Sequence, residues 1–202
     1  RFEMTGDMDH AQVLSKVLKA DIQNIRATLD ELNISVFEEV VEQLLSSRSI
    51  YVLGLRASAP LAQFLGHYLS YIFPTVHVVT SGISDIFEQL SHISEGDVLV
   101  GISFPRYTSR TIEAMELARK KNATLVAITD GPLSPLHATS DLCLTAKSDM
   151  ASFVDSLAAP LSLINALIVA LSQRKRQQVA ANFNQLEEIW AQYNVYLSKN
   201  GE

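Results

Sequence analysis

One cysteine, one tryptophan and no excess of basic residues set the first limits on this chain of 202 residues. A lone Cys143 excludes an internal disulfide and any zinc site built from cysteines. It lies in the apolar run Asp141-Leu-Cys-Leu-Thr145 and reads as a core thiol. The formal charge of −6 argues against this chain by itself gripping a nucleic-acid backbone, which calls for a basic face. Long apolar runs are missing as well. The nearest, Leu157 to Leu171, is interrupted by Pro160, Ser162 and Asn165 and falls short of the roughly 20 residues a bilayer span needs. It reads as a core helix, and no membrane association is expected. The segment Arg1 to Asp9 has neither a charged leader nor an apolar signal core, so a cytoplasmic protein is expected. His10, His67, His77, His92 and His137 show no metal-ligand spacing, and neither a Walker loop nor a nucleophile elbow is present. No metal, no cofactor and no catalytic residue are therefore assigned.

What remains is ordinary globular composition, 48% hydrophobic and 19% charged, arranged in two alternating patterns. From His10 to Leu32, Val13, Leu14, Val17, Leu18, Ile22, Ile25 and Leu29 recur at steps of three and four, one stripe of an amphipathic helix. That stripe has two possible partners, the core or a second subunit. Phe37–Leu45 predicts a second helix. Then come five short, β-branched, nearly continuous apolar runs: 50–54, 76–79, 97–102, 124–129 and 141–144. Runs of this kind suit strands covered on both faces, as in a parallel sheet. Helical segments fall between them at 60–72, 84–92, 109–122 and 135–138, and two longer ones follow at about 152–176 and 178–197. The alternation predicts an α/β fold, a three-layer αβα sandwich with a five-stranded parallel sheet preceded by an N-terminal helix. Residues 1–46 read as linker and oligomerisation helices, 47–177 as the core domain, and 178–202 as a C-terminal helix packed on it.

In an open parallel sheet the ligand crevice lies beyond the carboxyl ends of the strands. Two strand-to-helix loops carry residues suited to it. In Gly54-Leu-Arg-Ala-Ser58, Gly54 permits a tight turn, Arg56 adds a permanent positive charge, and Ser58 offers a hydroxyl at a helix start. A helix cap is the alternative role for Ser58. In Ser103-Phe-Pro-Arg-Tyr-Thr-Ser-Arg110, four hydroxyls accompany Arg106 within seven residues, more than capping requires. Such a loop suits a phosphate or carboxylate, with Ser103, Tyr107 and Thr108 as donors and Arg106 as a bidentate partner. Two further helix starts are weaker candidates: Ser84, and Asp149 with Ser152 in Ser148-Asp-Met-Ala-Ser-Phe-Val-Asp155. The latter pair has two readings, contact with a ligand or a helix cap with an acidic first turn.

The stretches "YVLGLRASAPLAQFLGHYL", "GDVLVGISFPRYTSRTIEAMELARKKNATLVAITD" and "SPLHATSDLCLTA" resemble the sugar isomerase (SIS) domain, and more closely the effector domain of RpiR/MurR-type bacterial transcription regulators. The resemblance runs from about Asp21 to Leu171. It implies an oligomer, a homodimer or homotetramer, and a sugar-phosphate effector whose phosphate is held by Ser58, Ser103 and Thr108. It also implies a DNA-binding helix-turn-helix domain ahead of the effector domain, so that DNA is reached only through that domain and this chain is the effector portion of a longer regulator. Two departures stand out. The second loop usually reads Ser-x-Ser-Gly-x-Thr, and here Pro105 and Arg106 replace serine and glycine. The first loop commonly carries a second glycine where this chain has Arg56. The expectation is that both arginines converge on one anion, a sugar phosphate or a sugar acid. The alternative function on the same fold is an aldose–ketose phosphosugar isomerase.

Overall fold

The computed structural model describes residues 9–150 and 153–196. Two helices lead, α1 (His10–Glu31) and α2 (Ile34–Ser46). The chain then alternates through β1 (Ile50–Gly54), α3 (Ala59–Leu69), β2 (Val76–Val79), α4 (Ile86–Gln89), β3 (Val98–Ile102), α5 (Ser109–Lys120), β4 (Thr124–Thr129), α6 (Pro135–Thr139) and β5 (Leu142–Thr145). It closes with α7 (Ala158–Arg174) and α8 (Arg176–Tyr193). All five strands are parallel, in the order β2-β1-β3-β4-β5.

Successive side chains on a strand point to opposite faces, so each strand feeds two cores. Ile50, Val52, Val100, Ile102, Val126 and Ile128 pack with α2, α3 and α7 on one face. Tyr51, Leu53, Leu99 and Leu125 pack with α4 and α5 on the other, around Met115. Central strands β1 and β3 are buried throughout, whereas the edge strand β2 exposes His77 and Val78. Cys143 on the opposite edge is only part-buried, and burial pushes its thiol up to about 11. Strand order reverses between β1 and β3, because the chain leaves β1 toward β2 and returns to β3 on the other side. The loops after these two strands therefore splay apart and open a crevice between them.

Two sequence expectations need correction. The long helix starts at Ala158, not near residue 152, with Pro160 in its first turn where a missing N–H costs nothing. Asp149 is thus no helix cap. The segment ahead of α7 is held instead by α1, whose relation to the core is the reverse of the usual amphipathic arrangement. Its buried residues are polar, Asn24 and Thr28. Its apolar stripe faces outward, with Leu14 62%, Leu18 53% and Leu29 70% exposed. Asn24 Nδ2 donates to the Asp149 carbonyl (2.9 Å) and Lys147 N–H to Thr28 Oγ1 (2.8 Å). Ser156 Oγ donates to Asp21 Oδ1 (2.6 Å), and Lys147 Nζ pairs with Glu31 Oε2 (2.6 Å). These four α1 residues, spaced three or four apart, form one polar line along the helix.

Candidate functional site

The first wall of the crevice begins at Gly54, where a Cβ would lie 2.6 Å from the Ser58 carbonyl oxygen and 2.7 Å from Ala62 Cβ. Only glycine lets β1 run so close under the start of α3. A single 3₁₀ turn, Arg56–Ser58, follows, with Arg56 in the left-handed region at φ 55°. Ser58 precedes α3, yet its side chain makes no capping bond. The turn leaves it at φ −87°, ψ −10°, not in the extended conformation that aims a cap oxygen at the helix N–H groups. The second wall leaves β3 through Ser103 and turns at Arg106, again left-handed at φ 71°. Thr108 caps α5, with Oγ1 accepting from Thr111 N (3.1 Å).

Between the walls lies a cavity of about 470 Å³. Five of the sequence candidates line it together: Arg56, Ser58, Ser103, Arg106 and Thr108. Ser58 and Ser103 are 6% and 5% exposed. Among the described residues neither hydroxyl has a hydrogen-bond partner, and no buried side-chain nitrogen or oxygen is sealed off unpaired. Both hydroxyls therefore open onto the cavity. Arg56 is exposed and unpaired, and Arg106 reaches Asp155 Oδ2 at 3.5 Å with its own side chain 63% exposed. Two guanidinium groups and two free buried hydroxyls around one cavity have the chemistry to hold an anion.

The remaining candidates stand elsewhere. Tyr107 turns away, donating its hydroxyl to Asp130 Oδ1 (2.6 Å), and burial, then that carboxylate, push it up to about 12. Ser84 is exposed and outside the cavity, its carbonyl accepting from Gln89. The helix cap there is Asp85, held below the usual carboxylate range by the Phe87 N–H and by Arg110, with which it forms an ion pair. Asp149 lines a neighbouring cavity of about 290 Å³ with Pro105, Asp130, Lys147, Ser148, Met150 and Asp155. Ser152 lies outside the described residues. Sequence reasoning missed Asp155, which borders both cavities, and Asp130 and Lys147. Asp130 carried a usable signal, since it directly follows β4 at the ligand end of the sheet. Asp155 carried none, because only the tertiary fold brings it to Arg106.

The SIS domain model matches residues 43–170 of this chain. The chain belongs to the SIS domain family. Over 193 residues, 92% of its length, this SIS domain is 26% identical to an uncharacterised HTH-type transcriptional regulator from Caldanaerobacter subterraneus. It spans 67% of that regulator, and 62% of a similar one from Haemophilus influenzae at 25% identity. Its fold superposes on the sugar isomerase domain of an RpiR transcription factor from Sphaerobacter thermophilus with a TM-score of 0.84 and 26% identity, covering 88% of this chain and 99% of that one. The Vibrio vulnificus NanR protein, solved in complex with ManNAc-6P, shares the fold at a TM-score of 0.76 and 19% identity, over 89% of this SIS domain and 69% of NanR. Among the described residues no helix is long and apolar enough to cross a membrane, and no group of acidic, histidine or cysteine side chains is placed to hold a metal.

Proposed function

We propose that this SIS domain is the effector-sensing part of a bacterial transcription regulator, binding a phosphorylated sugar or sugar acid between the β1 and β3 loops. The observation that carries this is the pair of buried, unpartnered hydroxyls of Ser58 and Ser103 opening on a cavity flanked by Arg56 and Arg106. Ser58, Ser103 and Thr108 take the anion, and the two arginines neutralise it. Relatives named as HTH-type regulators, and a neighbour that binds ManNAc-6P, agree with the reading. The polar line on α1 supplies a physical link. It grips Lys147, Asp149 and Ser156, and Asp155, next to Ser156, borders the cavity. A ligand that draws Arg106 from Asp155 shifts the segment, and with it α1, toward a DNA-binding helix-turn-helix domain. Such coupling requires different affinities for two arrangements. The exposed apolar stripe of α1 supports a homodimer or homotetramer, and the reading places the protein in the cytoplasm.

No catalytic step is assigned. An isomerase needs a general base beside the sugar C1 and C2. None of the five histidines, nor Glu88, Glu113 or Glu116, lines either cavity. Asp130, Asp149 and Asp155 do line the smaller one, so conversion of aldose to ketose phosphates is assayed alongside binding. The test of the main reading is a thermal-shift panel of hexose, pentose, amino-sugar and sugar-acid ligands, with and without phosphate. A ligand at ~100 times its dissociation constant adds about 2.7 kcal/mol, or at least about 5 °C at this length. A panel without any shift refutes the sensor.

A further inference from the structure

The 290 Å³ cavity is opposite in character to the crevice beside it. Three carboxylates line it, Asp130, Asp149 and Asp155, and its one cation, Lys147, is turned to Glu31 at 2.6 Å. The two cavities share Pro105 and Asp155, so together they form one bent site with an arginine end and a carboxylate end. Ser148 lies in the smaller cavity at 7% exposure. Its hydroxyl has no partner among the described residues, and since no buried side-chain oxygen is sealed off unpaired, it faces the cavity. The Asp149 carboxylate is likewise unpaired, because Asn24 binds only its backbone carbonyl. Among the described residues Asp130 accepts only from the Tyr107 and Thr129 hydroxyls.

Charge balance at the shared wall selects the ligand. Arg106 and Asp155 pair at 3.5 Å across the junction of the two cavities. An anion in the crevice competes with Asp155 for Arg106. A purely anionic ligand then leaves Asp155 beside Asp130 and Asp149 with no positive partner. A ligand carrying an anion at one end and an ammonium at the other replaces one ion pair by two. We propose that the smaller cavity is a second subsite that takes an ammonium group, so that the effector class is an amino-sugar phosphate with a free amine. This rests on the crevice holding the phosphate.

The test uses calorimetry on the full chain with matched sets of 6-phosphates: glucosamine, N-acetylglucosamine and glucose, and the mannose and galactose counterparts. 6-Phosphogluconate serves as a ligand with an acid at the far end, and inorganic phosphate as a probe of the crevice alone. Within the set that binds, the free amine is expected to bind about tenfold more tightly than the plain or N-acetyl sugar, as for a charge-assisted hydrogen bond, and 6-phosphogluconate more weakly than either. Asp149→Asn, a change at an exposed side chain, is expected to reduce the amine preference to threefold or less and leave inorganic phosphate binding unchanged. Equal binding across each set, or a preference for the N-acetyl or acid ligand, overturns the ammonium subsite and leaves the phosphate crevice standing. No binding of any phosphate compound, inorganic phosphate included, overturns both.

Discussion

Replacing Arg106 with glycine and, separately, with alanine isolates what its backbone costs from what its side chain does. At φ 71° a non-glycine residue costs the fold about 1–2 kcal/mol, and alanine keeps that cost. The alanine variant also loses the pair with Asp155, which at 63% exposure of the arginine contributes only about 0–1 kcal/mol. Glycine removes the left-handed cost and gives back about 0.4–1 kcal/mol through its freer unfolded chain. Arg106→Gly is therefore expected to be about 1 kcal/mol more stable than Arg106→Ala, a gap of about 2–4 °C in melting temperature. Both variants lose the guanidinium, so ligand affinity should fall in both by about 1.5–3 kcal/mol, the range of a charge-assisted hydrogen bond. A fully buried pair would lose more, and the exposure of Arg106 sets the lower figure. Differential scanning calorimetry and titration calorimetry read the two quantities. Alanine as stable as glycine would refute the left-handed turn. The expected stability order with unchanged affinity would remove Arg106 from the ligand.

Tyr107 has a hydroxyl pushed up to about 12, first by burial and then by Asp130. Its stabilising contribution is full below the ordinary tyrosine value of 10.0 and is lost as pH rises from there to about 12. Ultraviolet titration should show a late-ionising tyrosine that moves part of the way back in Asp130→Asn, and an unmoved titration would break the assignment. Asn24→Ala and Thr28→Val each leave a part-buried backbone group, of Asp149 and Lys147 respectively, without its partner. Each is expected to cost about 0.5–1.5 kcal/mol in urea unfolding, and wild-type stability in both would mean that α1 does not hold the segment.

Strands were legible to within a residue because the central ones, β1, β3 and β4, are nearly continuous apolar runs covered on both faces and the edge strands keep enough of the pattern, so that 50–54, 76–79 and 124–129 coincide with β1, β2 and β4. The start of α7 was not. Ser148 to Asp155 has the residues of a cap and an acidic first turn, but Asp149 and the flanking Lys147 and Ser156 hydrogen-bond to a helix more than a hundred positions earlier in the chain. Local pattern has no access to such partners. The stripe on α1 was plain, whereas its direction was not, since periodicity finds a face and cannot say what covers it. Both loops of the crevice were found from residue type. Ser58 was ambiguous between cap and ligand donor, and only the dihedral angles of the turn separate the two. The acidic cavity was legible only in part: Asp149 was a candidate, but Asp130 and Asp155 join it only after the end of β4 and the approach to α7 have folded together.

The contacts between α1 and the far wall of the site also tie together distant parts of the chain. They join residues 119 to 135 positions apart, among the most distant pairings in the molecule. Closing so long a loop carries an entropic cost that nearby contacts do not, and the sheet with its crossover helices is built from shorter separations. The crevice between β1 and β3 takes most of its lining from the sheet's own loops, while its neighbour takes most of its lining from Lys147 to Met150 and Asp155, close to the residues that the leading helix holds. A chain whose leading helix has come away retains the place for an anion and loses the place for the rest of the molecule. Discrimination among ligands is thus expected to be more sensitive to loss of the leading helix than anion binding itself.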